Sequence, residues 1–252
     1  MPERATVYGV WDKLVPGDPV GALVCAYPGT NTDPGGERLV GQRELPGEVA
    51  ESMAGDLGYL PSGPGPGICS LVGGRQINYL VRFDYPGGER VWLTTAEEPN
   101  RCVSTSNGVF RTPSYIGSAM TATFRTGRWS RLENEDPCWK SAGRRGQERR
   151  MVPDRPIGVL VCGKDSKGGN VGRDHGPEVA ASLAAELNSI VVHTRIGVSC
   201  QGPSTAHYNL QFRYEEGPGA GVTVLEGCDP SIHNGFLSGT GEFPRLKELA
   251  GG

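Results

Sequence analysis

From Pro46 to Leu57 the apolar residues return at every fourth position, Val49, Met53 and Leu57, with Ala50 and Ala54 on the same side. That period winds into one stripe of an α-helix, its polar residues turned outward. The stripe recurs as Val179, Leu183 and Leu187 with Ala180 and Ala184. Pro177 followed by Glu178 starts this second helix well: proline pre-sets φ, and a carboxylate suits the positive end of the helix dipole. Elsewhere the period drops to two. Tyr79, Val81, Phe83 and Tyr85 fall at alternate positions, Pro86-Gly87-Gly88 turns the chain, and Val91-Trp92-Leu93 returns it. This predicts a β-hairpin. A second hairpin follows the same plan: Tyr208 to Tyr214, a Gly217-Pro218-Gly219 turn, then Val222-Thr223-Val224-Leu225. The runs Leu23-Val24-Cys25 and Leu160-Val161-Cys162 have the length and character of buried strands, and Thr121-Ala122-Thr123-Phe124 is expected as an extra strand.

These elements recur in the same order. Gly21 to Cys25 reappears as Gly158 to Cys162, and six of the twelve residues from Pro46 to Leu57 are identical to those 130 positions later. Cys69 matches Cys200, Phe83-Asp84-Tyr85 matches Phe212-Arg213-Tyr214, Cys102 matches Cys228, and Asn107-Gly108 matches Asn234-Gly235. We therefore expect an α+β chain of two tandem, internally duplicated small domains, each a β-sheet with one packed helix and a β-hairpin. The first spans residues 1–130 and the second 157–252. Residues 131–156 hold twelve charged residues and little periodic apolar signal, which reads as a charged, solvated linker. Its basic run, Arg144-Arg145 and Arg149-Arg150, is the one feature there that suggests a contact patch.

Composition narrows the context. Gly (39) and Pro (20) are abundant in the 252 residues, and only 37% are hydrophobic, so each copy has a modest core and many turns. Lys and Arg together number 25 against 28 Asp and Glu. This balance removes the electrostatic case for a nucleic-acid partner. No apolar run is long enough to insert in a membrane as a helix. Only five of the basic residues are Lys, a bias that, beside so much Gly, Pro and Ala, fits a high-GC bacterial genome. Met1-Pro2-Glu3-Arg4 does not begin a signal peptide.

Seven cysteines decide between compartments. Their spacings lack the short pairs that zinc requires. Structural disulfides suit small domains rich in Gly and Pro. Cys69 precedes the first hairpin and Cys102 follows it, so antiparallel pairing brings them together, and the same geometry relates Cys200 to Cys228. An equally legal scheme joins Cys25 to Cys102 and Cys162 to Cys228. One thiol is left over in any intramolecular scheme, and Cys138, which has no counterpart, is expected to be that one.

A strand ending in Val-Cys, an Ala-rich amphipathic helix, a Cys before a Tyr/Phe/Arg-bearing strand and a Cys shortly before Asn-Gly together resemble small exported Cys-containing proteins of actinobacteria. The resemblance implies an extracytoplasmic place, secreted or in the cell envelope, with an export signal outside this sequence. It brings no activity and no catalytic residue.

The chain contains no G-x-S-x-G elbow, P-loop or dinucleotide fingerprint. All four histidines, His175, His193, His207 and His233, lie in the second copy. The sharpest enzyme reading is a Cys200 thiolate with His193 or His207 as base. Against it stands the parallel with Cys69, which makes Cys200 a disulfide partner. Glu97-Glu98 and Glu215-Glu216 are expected to be solvated near turns. The loops Asn31 to Gly36 and Asp165 to Asn170 offer oxygen ligands without EF-hand spacing. No cofactor or metal is expected.

The leading reading is a non-catalytic binding or interaction protein. Its partner is a protein or a small ligand, met at the groove between the copies and at the hairpin faces carrying Tyr79, Arg82, Trp92 and Arg213, since aromatic residues and arginine favour recognition. Two alternatives stand beside it: a secreted hydrolase with its site in the second copy, and an inhibitor or immunity-type protein using an exposed loop such as residues 60–68.

Overall fold

The computed structural model describes residues 7–32, 38–63, 69–70, 72–130, 137–138, 143–164, 170–194, 197–200 and 207–251. Residues 64–68 of the 60–68 loop, most of both Asn/Asp loops and residues 131–136 and 139–142 lie outside the described residues. The chain forms two compact units, Met1–Leu132 and Glu133–Gly252. Both are α+β, each built on an antiparallel sheet.

In the first unit β1 (Gly21–Thr30) and β2 (Gly41–Pro46) lead into α1 (Gly47–Gly58). The hairpin β3 (Arg75–Asp84) and β4 (Arg90–Glu97) follows, then short β5 (Thr105–Ser106) and β6 (Arg111–Thr112), then α2 (Gly117–Thr126). The six strands lie in the order β2-β1-β3-β4-β5-β6. Register sets Val24 opposite Val81, and Phe83 opposite Val91. These four side chains are buried with Met53 and Leu57 of α1, so the predicted helical stripe packs on the predicted strands.

The second unit repeats this order with β7 (Gly158–Lys164), β8 (Asn170–His175) and α3 (Pro177–Asn188). After short β9 (Val192–His193) and β10 (Ser199–Cys200) come the hairpin strands β11 (His207–Arg213) and β12 (Ala220–Leu225). Short β13 (Cys228–Asp229), β14 (Ile232–His233) and β15 (Ser238–Gly239) precede α4 (Leu246–Ala250). Seven strands form one sheet in the order β8-β7-β11-β12-β14-β15-β9, and β10 pairs with β13. One apolar cluster joins Val159, Val161, Leu183, Leu187, Leu210, Phe212, Val222 and Val224.

Two expectations are corrected. Thr121 to Phe124 belongs to helix α2, not to a strand. Its threonines read as β-prone, but Gly117, Met120, Thr121 and Thr123 fall on one helical face and are buried, and Gly127 ends the helix with a left-handed φ of 73°. Residues 143–156 are no solvated linker. Met151 and Val152 are part of the second core. Arg144 is only 4% exposed; it pairs with Asp154 at 3.0 Å and donates to the carbonyls of Glu216 (2.7 Å) and Pro218 (3.0 Å).

This stretch is an arm that the first unit also has. Residues 9–21 and 146–158 correspond at a single offset, with Gly9 and Gly146 at φ of 93° and 94°. The main-chain N–H groups of Asp12 and Lys13 donate to the Gly9 carbonyl, as those of Arg149 and Arg150 do to Gly146. Asn107 Nδ2 then donates to the carbonyls of Val10, Lys13 and Leu14 (2.8, 3.0 and 3.1 Å), and Asn234 Nδ2 to those of Gln147, Arg150 and Met151 (2.8, 3.1 and 3.3 Å). The Tyr85 hydroxyl bonds the Pro16 carbonyl at 2.6 Å, and the Tyr214 hydroxyl bonds that of Pro153 at 2.7 Å. In each unit, then, an Asn-Gly turn and a tyrosine clasp the entering chain.

Three disulfides use six of the seven cysteines: Cys69–Cys102, Cys200–Cys228 and Cys138–Cys162. The expectation for the odd thiol is overturned. Cys138 is bridged and buried Cys25 is free. Cys162 and Cys25 hold equivalent sheet positions. Register sets Gly172 opposite Cys162 and Gln42 opposite Cys25; the position of Gly172, with no side chain of its own, lies close to both Cys138 and Cys162 sulfurs.

Candidate functional site

The four proposed recognition residues divide between the two units and, within the first, between the two faces of the sheet. Tyr79 is 2% exposed. It shares a strand face with Val81 and Phe83, and its hydroxyl bonds Thr121 Oγ1 at 2.8 Å, so it is a core residue and not a docking residue. Burial also raises its pKa above the usual tyrosine value, with smaller effects from Thr121 and Glu97. Arg82 and Trp92 face each other in register on the other side of the sheet. The Arg82 guanidinium lies 5.9 Å from the Trp92 ring and pairs with Asp84 at 2.9 Å. Arg213 belongs to the second unit, where its exposed side chain pairs with Asp174 at 3.0 Å.

The histidines stand on four strands of the second unit. His175 Nε2 meets the Leu249 carbonyl at 2.8 Å. Cys200 is bridged to Cys228, which removes the thiolate the enzyme reading needed. The strand register does place Ser238 between His233 and His193, but Ser238 is 2% exposed and closed to a substrate. Among the described residues no cluster of three or more His, Cys, Asp or Glu is arranged to hold a metal.

A concavity lies in the first unit, where one face of α2 meets the ends of β1, β3 and β4. It is a cleft of about 870 Å³, lined by Thr30, Arg75, Glu98, Arg101, Tyr115, Ser118 and Arg125 among others. Ser118 and Arg125 are seven residues apart, two helical turns, and so share a face of α2. Close approach of this helix to β4 depends on Gly117: a Cβ there would meet the Ala96 oxygen at 2.2 Å and Glu97 Cα at 2.7 Å.

The rim after β4 is fixed from within. Glu98, expected to be solvated, is 5% exposed. Its carboxylate accepts the N–H of Asn100 at 2.7 Å and that of Cys102. Between these anchors Arg101 takes a left-handed φ of 53°, and its guanidinium lies 5.9 Å from the Tyr115 ring. The Cys69–Cys102 bridge closes the far side of the loop, and Asn100 Oδ1 accepts from Ser70 Oγ (2.5 Å) and the Val72 N–H (3.1 Å). Beneath the cleft Thr121 donates to Glu97. Burial keeps the Tyr115 phenol above its ordinary pKa, partly offset by Ser118.

Sequence reasoning did not find Arg75, Arg101, Tyr115, Ser118 or Arg125, because they come from strand ends, a turn and a helix that share no motif. One signal was available. Four residues separate Glu97 from Cys102 and only one separates Glu226 from Cys228, so the first unit carries three extra residues, ending in Arg101, at this rim.

No protein-family model matches the chain, and the comparisons with curated proteins and with solved structures give no similar protein. Among the described residues no helix is long and apolar enough to cross a membrane.

Proposed function

We propose that this chain is a non-catalytic, exported binding protein made of two related disulfide-stapled domains, the first of which takes a small ligand in the α2 cleft. The cleft carries the reading: its volume of about 870 Å³ falls in the range of small-molecule sites, roughly 300–1,000 Å³, and its rim is held by a disulfide and a buried carboxylate. Six bridged cysteines of seven support an oxidising, extracytoplasmic setting, in line with the resemblance to exported actinobacterial proteins. The shared element order, the paired arms and the paired Asn and Tyr clasps support tandem duplication. On this reading the second copy serves as scaffold, since its concavity beside Glu226 and Gly227 is only about 340 Å³.

A fragment screen on the isotopically labelled full chain tests the proposal. Hits should shift the amides of Gly29, Ile77, Arg101 and Ser118 and lose their effect in Ser118→Trp, which fills the cleft. Hits that cluster elsewhere, or a hit that is chemically turned over, would overturn it.

A further inference from the structure

Resting on that reading of the cleft, we infer that its ligand is a small polyhydroxylated acid, held by a carboxylate or phosphate group on Arg75, Arg101 and Arg125. The cleft lining carries three arginines against two carboxylates, a net of one positive charge. Of the two carboxylates in the wall, Glu98 is engaged by the N–H groups of Asn100 and Cys102, and Glu97 accepts from Thr121. Among the described residues the ion pairs are those of Arg82, Arg90, Arg144 and Arg213. The three arginines that line the cleft are in none of them, so among the described residues they form no ion pair. Guanidinium is the side chain best matched to planar or tetrahedral oxyanions, through paired N–H donors.

The surroundings add to this. Helix α2 has no acidic residue in its first turn and no side-chain cap, so its first N–H groups add donors at the positive end of the helix. Arg101 is pre-positioned by its left-handed backbone, with its guanidinium 5.9 Å from the Tyr115 ring, which reduces the ordering cost on binding. The two wall carboxylates have further lone pairs that suit hydroxyl donors rather than a second anion, hence a hydroxylated acid.

The second unit supplies an internal contrast. Its rim lacks the three-residue extension that carries Arg101, Leu249 stands at the place of Arg125 when the helix-ending Gly127 and Gly251 are matched, and its smaller concavity is lined by Glu226 and Glu242 with no basic residue. The anion-binding character is thus specific to the first unit.

Glucuronate, glucose 6-phosphate, inorganic phosphate and glucose are the probes, titrated into the full chain while backbone amides and arginine Nε–H signals are followed. Glucuronate or glucose 6-phosphate should shift Ser118, Arg101 and the three arginine side chains, and the stronger of the two identifies the anion. Their affinity should fall at least tenfold in R101Q and in R125Q, and again in 0.5 M NaCl. Glucose should have no effect below tens of millimolar. Equal response to glucose and to the acids, or full affinity in R75Q, R101Q and R125Q, overturns the acid while leaving a binding cleft. Silence toward all four probes while neutral fragments still occupy the cleft does the same. If fragments fail there as well, the binding reading falls with it.

Discussion

The Arg144 guanidinium lies 3.9 Å from the centre of the Tyr214 ring, and both groups are tied to the arm that opens the second unit. Arg144 also holds Asp154 and two turn carbonyls. Lysine has one ammonium in place of this planar fork and cannot reach all of these partners while stacked on the ring. Arg144→Lys is expected to lower stability by about 2–3 kcal/mol, the cost of leaving buried acceptors unmet. Urea denaturation followed by tryptophan fluorescence checks it; an unchanged midpoint would show the stack to be inert.

Asn234 is 2% exposed and gives its amide to three arm carbonyls. Asn234→Ala removes these donors and the turn acceptor for the N–H groups of Phe236 and Leu237. A loss of about 2–3 kcal/mol follows from the unsatisfied buried groups. Asn107→Ala should act in the same direction on the first unit, and hydrogen exchange should show faster exchange in residues 10–14. Protection unchanged in that arm would contradict the clasp.

Cys25, Tyr85 and Tyr214 all have pKa values raised chiefly by burial; nearby Arg82 partly offsets the shift at Cys25, and Arg144 that at Tyr214. Each folded group keeps its proton at pH values where the unfolded chain has lost it, so stability is complete below the ordinary thiol and phenol values and declines as pH rises past them. Unfolding free energy from these groups should be flat between about pH 7 and 8, then fall towards pH 11. Denaturant midpoints across that range test it, and a rise above pH 9 would reverse the sign.

Cys25 is 7% exposed. Alkylation of the non-reduced chain in denaturant should add one label, at this residue, with slow labelling in the folded state. Two further labels would mean that one of the bridges is open.

Gly117→Ala forces a methyl group against the Ala96 oxygen and Glu97 Cα. The expected cost is about 1–3 kcal/mol, as for overpacking elsewhere, and α2 must move off β4. Stability should drop together with ligand binding in the cleft; a drop in stability alone would place the ligand elsewhere.

The sequence was legible where one face of an element is apolar at a clean period. Val49, Met53 and Leu57 repeat as a helix repeats, and Tyr79 to Tyr85 alternates as a strand does. It misled where burial is polar. Thr121 and Thr123 are buried in α2 because Tyr79, Glu97 and the Ala119 carbonyl satisfy their hydroxyls, which no local pattern announces. Edge strand β2 has one buried residue, Leu45, too little for a period. The arginines around residue 144 looked solvated because the groups that bury Arg144 lie some seventy residues away. Its arm was readable after all: Val15-Pro16, Pro19 and Gly21 recur as Val152-Pro153, Pro156 and Gly158. The cleft arginines had no such trace, since only tertiary structure gathers them.

The clasped arms also determine where the chain can be divided. Each unit holds its own opening peptide in a ready-made cradle, so a second unit begun at residue 157 would be released with that cradle empty and with Met151 and Val152 gone from its core. Begun before residue 138, it would keep its arm and the Cys138 bridge. An empty cradle is complementary to the same peptide on another molecule, so the shorter fragment is a natural acceptor for exchange between copies.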